Sequence, residues 1–193
     1  MIGSPFATSA GLPAGHGPIV QICFITNDIP ASVAEWTRTF GAGPFFHMEH
    51  VDLRDVKYYG KPVVLDESIA LGYWNDMQIE FIHQHNDTET IYTDWKRGVR
   101  LGVHHVLVNT DDLRKTTAEL VKQGMVPAME AIVGLGGEVT FFETHHPFVP
   151  FLEVARLDAL FGPLFAYMKR AAREWDGSAP LRPVPDQGVW SKG

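Results

Sequence analysis

Four residues far apart in the 193-residue chain have side chains that suit chemistry and neighbours that do not: Gln21, Glu80, His105 and Glu153. Each interrupts an apolar, β-branched or aromatic run that reads as a strand. In Met77–His83, alternation puts Ile79 and Phe81 on one face and Gln78, Glu80 and Ile82 on the other. If the second face is buried, the Glu80 carboxylate must be paired or bound to a metal. Glu153, in Phe151-Leu152-Glu153-Val154-Ala155, poses the same problem. Taken singly, each has an ordinary explanation as a solvent-facing Glu, a hydrogen-bonded Gln or a structural His. Taken together they offer two carboxylates, an amide and an imidazole, all able to supply N or O ligands.

An internal repeat relates the four. Val20-Gln21-Ile22-Cys23-Phe24-Ile25-Thr26-Asn27-Asp28 matches His104-His105-Val106-Leu107-Val108-Asn109-Thr110-Asp111-Asp112, and sets Gln21 in register with His105. Asp28 caps a helix that stops at Gly41, and Asp112 caps one that stops at Gly124. Pro30 is tolerated in the first turn. Strands follow in both halves: Gly43–His50, Val63–Trp74 with room for a break, and Met77–His83, then Val126–Ile132, Glu138–Thr144 and Pro150–Ala155. Glu80 and Glu153 then hold corresponding places in the last strand of each half. Of the adjacent histidines, alternation sends His105 to the face of Gln21 and packs His104 behind the sheet.

The double βαβββ pattern resembles the vicinal oxygen chelate superfamily, which includes glyoxalase I, methylmalonyl-CoA epimerase, extradiol dioxygenases and antibiotic-resistance proteins. The resemblance runs from Pro18 to Leu157, through "MQIEFIHQHND", "GVHHVLVNTDD", "VTFFETHHP" and "FLEV". It implies an α+β fold in which two βαβββ modules form a cupped eight-stranded mixed sheet around one divalent metal, plus a C-terminal helix. The expected divisions are a flexible arm at 1–17, a first module at 18–98, a second at 99–157, and a helix with a Pro-rich tail at 158–193. The family's ligands come from the first and last strands of each module, here Gln21, Glu80, His105 and Glu153. Epimerases usually carry His then Gln at the first two places; Gln21 and Glu80 are more similar to animal-type glyoxalase I. This set, without a thiolate, suits Zn, Ni, Co, Mn, Fe or Mg. The resemblance implies proton transfer α to a carbonyl: glyoxalase-type lyase, isomerase or epimerase chemistry on a small carbonyl or thioester. Glu153 would be the base and Glu80 its opposite-face partner. A metal-free binding or resistance protein is the alternative from another class. An extradiol dioxygenase would need two His and one carboxylate, which Gln21 argues against.

The remaining features narrow the surroundings. A net charge of −7 with scattered Lys and Arg argues against nucleic acid as a partner. No apolar run is long enough to cross a bilayer, and the N-terminus lacks a secretory signal, so a cytoplasmic protein with no membrane partner is expected. Cys23 is the single cysteine and lies in an apolar run, which reads as a buried structural thiol. Gly134-Leu135-Gly136-Gly137 is a turn and not a phosphate loop, because GK[ST] and a following helix are missing. Leu160, Phe161, Leu164, Phe165, Met168 and Ala172 form a helical stripe that packs on the domain or across a homodimer, with a substrate lid as the sharper reading. Phe45, Phe46, Trp74, Met129 and Phe141 are candidates to line an apolar pocket, His145-His146-Pro147 reads as a turn, and His83 and His85 as solvated.

Overall fold

A computed structural model describes residues 17–156 and 158–190. The expected arm, with His16, lies outside them except for Gly17. The sequence repeat becomes a structural one. Strand β1 (Ile19–Ile25) leads to helix α1 (Ile29–Phe40), and β7 (Val103–Asn109) leads to α3 (Leu113–Lys122). The Asp28 carboxylate accepts from the Ala31 N–H at 2.9 Å, and the Asp112 carboxylate from the Lys115 N–H at 3.0 Å. These caps satisfy donors that each first turn would otherwise leave open. Gly41 ends α1 at φ +66°, in the left-handed region that favours glycine.

The strands that follow are β2 (Phe45–Met48), β3 (Leu53–Tyr58), β4 (Lys61–Pro62), β5 (Glu67–Trp74) and β6 (Met77–Gln84) in the first half. The second half adds β8 (Val126–Val133), β9 (Gly137–Glu143) and β10 (Phe151–Ala155), with the short helix α2 (Thr93–Lys96) between the halves. Helix α4 (Asp158–Arg173), β11 (Leu181–Pro183) and α5 (Gln187–Trp190) complete the chain. All strands join one mixed sheet in the order β11-β2-β5-β6-β1-β7-β10-β9-β8-β3-β4. The middle eight mirror one another across the antiparallel β1–β7 pair, with parallel β1–β6 and β7–β10 pairs beside it.

The sheet has eleven strands, and so corrects the expected eight. The first additional piece is the β3–β4 hairpin, turned by Tyr59 and Gly60, both at positive φ as a tight two-residue turn requires. It pairs with β8 at the far edge from β2. The chain therefore crosses from one edge of the sheet to the other over residues 49–52, which span at most about 18 Å even fully extended. The sheet must curl to allow this, and the crossing closes the cup. The second addition, β11, extends the β2 edge in parallel. The strand expected from Val63 begins only at Glu67.

Side-chain alternation divides the core into three. Ile29 and Val33 of α1 pack on Phe45, Ala70, Ile79 and Phe81 behind the first half. Leu113 and Leu120 of α3 pack on Val108, Phe142, Leu152 and Val154 behind the second. The inner face holds Phe46, Ile69, Leu71, Ile82, Leu107, Met129 and Phe141, covered by Leu164 and Met168 of α4. Phe45 thus lies behind the sheet, and Trp74 joins Trp36 and Phe40 in an aromatic group on that side. Gly137 lets Phe161 lie against β9, since a Cβ there would meet the Phe161 ring at 2.6 Å. Outside the cup, Asp76 holds Lys169 at 2.7 Å and Arg173 at 3.3 Å. No helix among the described residues is long and apolar enough to cross a membrane.

Met168 is fully buried between α4 and the cup. Met168→Ala is expected to lower unfolding stability by about 2–5 kcal/mol in urea titrations, the range for truncating a buried side chain. An effect below 0.5 kcal/mol, the scale of surface substitutions, would mean that α4 is not docked in solution.

Candidate metal centre and cavity

The four residues singled out from the sequence come from four adjacent central strands: Glu80 on β6, Gln21 on β1, His105 on β7 and Glu153 on β10. Register explains their convergence. Cys23 pairs with Glu80 on one side and His105 on the other, while Leu107, two residues beyond His105, pairs with Glu153. Same-parity positions on neighbouring strands share a face. All four side chains are buried. His105 Nε2 lies 3.0 Å from Glu153 Oε2 and 3.4 Å from Glu80 Oε2, without the alignment of a hydrogen bond to either. Gln21 lines the same cavity as Glu80 and Glu153. Its amide NH2 donates to Gln78 Oε1 at 2.8 Å, and the Gln78 amide donates to the Tyr73 hydroxyl at 3.2 Å. That orientation leaves Gln21 Oε1 buried and without a partner.

The second histidine has a place that alternation did not give it. Cys23 pairs with His105, but the next residue, Phe24, pairs with Val103, so His104 is the extra residue of a β-bulge. Instead of packing with Val106 and Val108 behind the sheet, His104 is fully buried among Ile91, Tyr92, Trp95 and Phe151. Its Nε2 donates to the Ile91 carbonyl at 3.0 Å, and its Nδ1 lies 2.8 Å from His105 Nδ1. A carbonyl only accepts, so the His104 proton sits on Nε2. Burial, and then the neighbouring His105, hold the His104 pKa well below its usual 6.5. The ring is therefore neutral with Nδ1 as acceptor, and His105 must donate from its own Nδ1. The relay points the His105 Nε2 position at the two carboxylates, the second-sphere arrangement expected of a ligating imidazole.

Two participants were not singled out as site residues. Glu67 is a third buried carboxylate on the cavity wall, with Oε2 unpartnered. Burial, reinforced by Glu80 and Glu153, raises its pKa to about 8. Its signal was the alternation Glu67, Ile69, Leu71, three residues that line one cavity. Cys23 is buried as expected, yet it also lies between Glu80 and His105, with donor atoms of the three within 4.8 Å of one another. Burial, and then Glu80, push its thiol well above the usual range, so it is a neutral neighbour.

Charge balance tests whether the site suits a cation. Burial would keep His105 neutral, but Glu153 and Glu80 outweigh it and hold its pKa at about 9. Burial raises Glu153, against the pull of His105. One imidazolium cannot neutralise the carboxylates gathered around it, and buried charge without a partner is strongly disfavoured. Unpartnered Gln21 Oε1 and His105 Nε2, with two carboxylates on one cavity, fit a divalent ion with mixed N and O ligands. The cavity itself is about 140 Å³, walled by Leu71, Ile82, Leu107, Met129 and Phe141 and roofed by Phe161, Leu164 and Phe165 of α4. His145, at φ +54° beside Pro147, sits in an exposed turn away from it, as expected.

Comparison with known proteins agrees with this architecture. No curated protein matches the sequence significantly. Among solved structures, methylmalonyl-CoA epimerase from Mycobacterium tuberculosis superposes with a TM-score of 0.50 at 12% identity, covering 76% of this chain and 93% of that one. A hypothetical protein, BH1468, from Bacillus halodurans C-125 gives 0.49 at 14% identity, covering 72% and 93%. A Streptomyces coelicolor methylmalonyl-CoA epimerase gives 0.45 at 18% identity, covering 74% and 98%. The family model for the glyoxalase/bleomycin resistance protein/dioxygenase superfamily matches residues 20–141, more than half of the chain. With its mirrored central strands and cupped site, the chain belongs to that superfamily.

Proposed function

We propose that Gln21, Glu80, His105 and Glu153 bind one divalent metal ion, and that the protein catalyses proton transfer α to a carbonyl on a small carbonyl or thioester substrate. The observation that carries this reading is the meeting of two buried carboxylates around His105 Nε2, with Gln21 Oε1 unpartnered on the same apolar cavity. The epimerase likeness, at 12% identity, speaks for the fold, so the substrate is read from the cavity.

When bound, the ion supplies Lewis-acid stabilisation of charge developing on the substrate oxygen, worth several kcal/mol. The chain does the rest. Glu153 takes the α-proton: burial raises its basicity, and a carboxylate nearer neutrality is a better base. For exchange between two faces, Glu80, across His105 from Glu153, would carry the proton it delivers while Glu153 keeps the one it removes. His104 fixes the His105 tautomer, and the Gln78–Tyr73 pair fixes the Gln21 amide. The apolar walls exclude water, which strengthens each of these interactions. A volume of about 140 Å³ suits a small carbonyl compound with α4 in place. A thioester would place its acyl end there and leave between Leu107 and Phe165, which also line an outer cleft of about 910 Å³.

One observation favours a metal-free small-molecule binder as a second reading. His105 and Glu153 at 3.0 Å can neutralise each other without an ion. Metal content after reconstitution separates the two, since a binder needs no stoichiometric ion.

Three outcomes follow from the enzymatic reading. In deuterated water, the reconstituted protein should catalyse α-proton exchange of 2-oxo or thioester substrates. Glu153→Gln should lower that rate by about 10²–10⁴-fold, the usual contribution of a positioned base; undiminished exchange would refute the assignment. His104→Phe keeps a ring but removes the acceptor for His105 Nδ1. It should weaken metal affinity by about 10–100-fold in competition with a chelating dye, and unchanged affinity would show that the relay does not orient the ligand. The third outcome concerns pH. In metal-free protein, Glu67 and His105 both have raised folded pKa values, from 4.5 to about 8 and from 6.5 to about 9. Each holds a proton in the folded state that the unfolded chain releases. Their stabilising contributions are complete below the unfolded values and lost as pH rises through the folded ones. Stability should therefore fall by a few kcal/mol between pH 5 and 9, with Glu67→Gln removing the more acidic part. A flat or rising urea-unfolding profile would contradict these protonation states.

A further inference from the structure

Asp66 and Ser68 flank Glu67 on the other face of the strand, and a second group of ligand-type side chains gathers there. His50 Nδ1 lies 2.7 Å from Asp66 Oδ1. His85 Nε2 lies 2.7 Å from Ser68 Oγ. The His50 and His85 rings stack with centroids 4.6 Å apart, and His83 lies against His85 at 4.4 Å. One donor atom each from His50, Asp66 and His85 fall within 4.8 Å of one another.

Backbone contacts fix the arrangement. The His85 N–H donates to the Asp66 carbonyl at 2.8 Å, and the His50 N–H donates to Ser68 Oγ at 3.1 Å. Register pairs Ser68 with His83, which puts the cluster opposite the cup face that holds Glu67 and Ile82. His50 has φ +48°, a left-handed conformation that non-glycine residues rarely adopt. The Asp66 contact and the stack on His85 hold the imidazole in place. The stacked His50 and His85 rings, with His83 tilted against His85, put two imidazoles beside one carboxylate at an accessible surface, and neutral rings so placed can share a cation.

We propose that His50, Asp66 and His85 form a second metal site on the outer face of the sheet, for a divalent transition ion of the zinc or nickel type. Two imidazoles and a carboxylate suit such ions and suit calcium or magnesium poorly. Ligand bonds of about 2.0–2.2 Å set tetrahedral donors about 3.3 Å apart, so the side chains need close by only about 1.5 Å. The ion would join the crossing segment after β2 to the ends of β5 and β6. The site stands independently of the metal proposed in the cup.

The test is zinc stoichiometry on untagged, full-length, chelator-stripped protein, by equilibrium dialysis against micromolar zinc and elemental analysis. Wild type is expected to bind two ions per chain. His50→Asn with His85→Asn should bind one; Asn also tolerates the left-handed backbone at 50. His105→Phe with Glu153→Gln should also bind one, and all four substitutions together none. Metal-free thermal unfolding of the Asn variant checks that the fold is retained. If the Asn variant binds as much zinc as wild type, the outer site is refuted. If wild type binds one ion that the Asn variant loses, the outer site stands and the cup reading falls. If wild type binds none, both fall.

Discussion

A group of buried carboxyl side chains is the constraint around which this molecule is organised. Glu67, Glu80 and Glu153 face one small apolar cavity, with His105 as the cationic partner among the described residues of the site. Nothing in an apolar core favours such a group, so its surroundings must hold it together. Two parallel strand pairs and the antiparallel β1–β7 pair fix where the side chains emerge. The back-face clusters under α1 and α3 hold those strands rigid without using any inner-face position. Helix α4 then removes the cavity from water, which raises both the cost of unpaired charge and the strength of each paired one.

Much of this is legible in the sequence because it rests on local rules. Asp28 and Asp112 cap helices as their positions predict, and period-two alternation sorts Ile79 and Phe81 from Glu80 and Ile82. The repeat brings out Gln21 and His105 as counterparts. What was not legible depends on departures from those rules. The bulge at His104 breaks alternation, and only the pairing partner Phe24 reveals it. Glu67 alternates with Ile69 and Leu71, but only the cavity these residues share with Glu80 and Glu153 marks its carboxyl as part of the site. The β3–β4 hairpin is short and charged, and its partner β8 lies far along the chain. Alternative placements for the helix after Leu157 could be decided only by the complementary surfaces of Phe161 and Gly137.

The two histidines at 104 and 105 divide labour through their partners. Both are fully buried, yet one is pushed far down in pKa and the other up. His104 has a carbonyl and another imidazole for company, so desolvation wins and the ring stays neutral. His105 has two carboxylates, so attraction wins. Identical side chains on adjacent residues become acceptor and donor because one extra residue in a strand turns the first toward the second.

The crossing at residues 49–52 has a consequence for how the chain reaches its fold. It delivers β3 to β8, pairing Leu53 with Val133 some 80 residues away. Loop-closure entropy must be overcome before so distant a pairing gains anything, which makes this rim contact costly to form early. The hairpins β5–β6 and β8–β9 close short loops and can form within their own halves. The rim seam carries no greater entropic cost than the central one, where Cys23 meets His105 some 82 residues away. It also interlocks the halves: the duplicated units are strung so that one supplies the other's edge, and neither presents a complete rim alone.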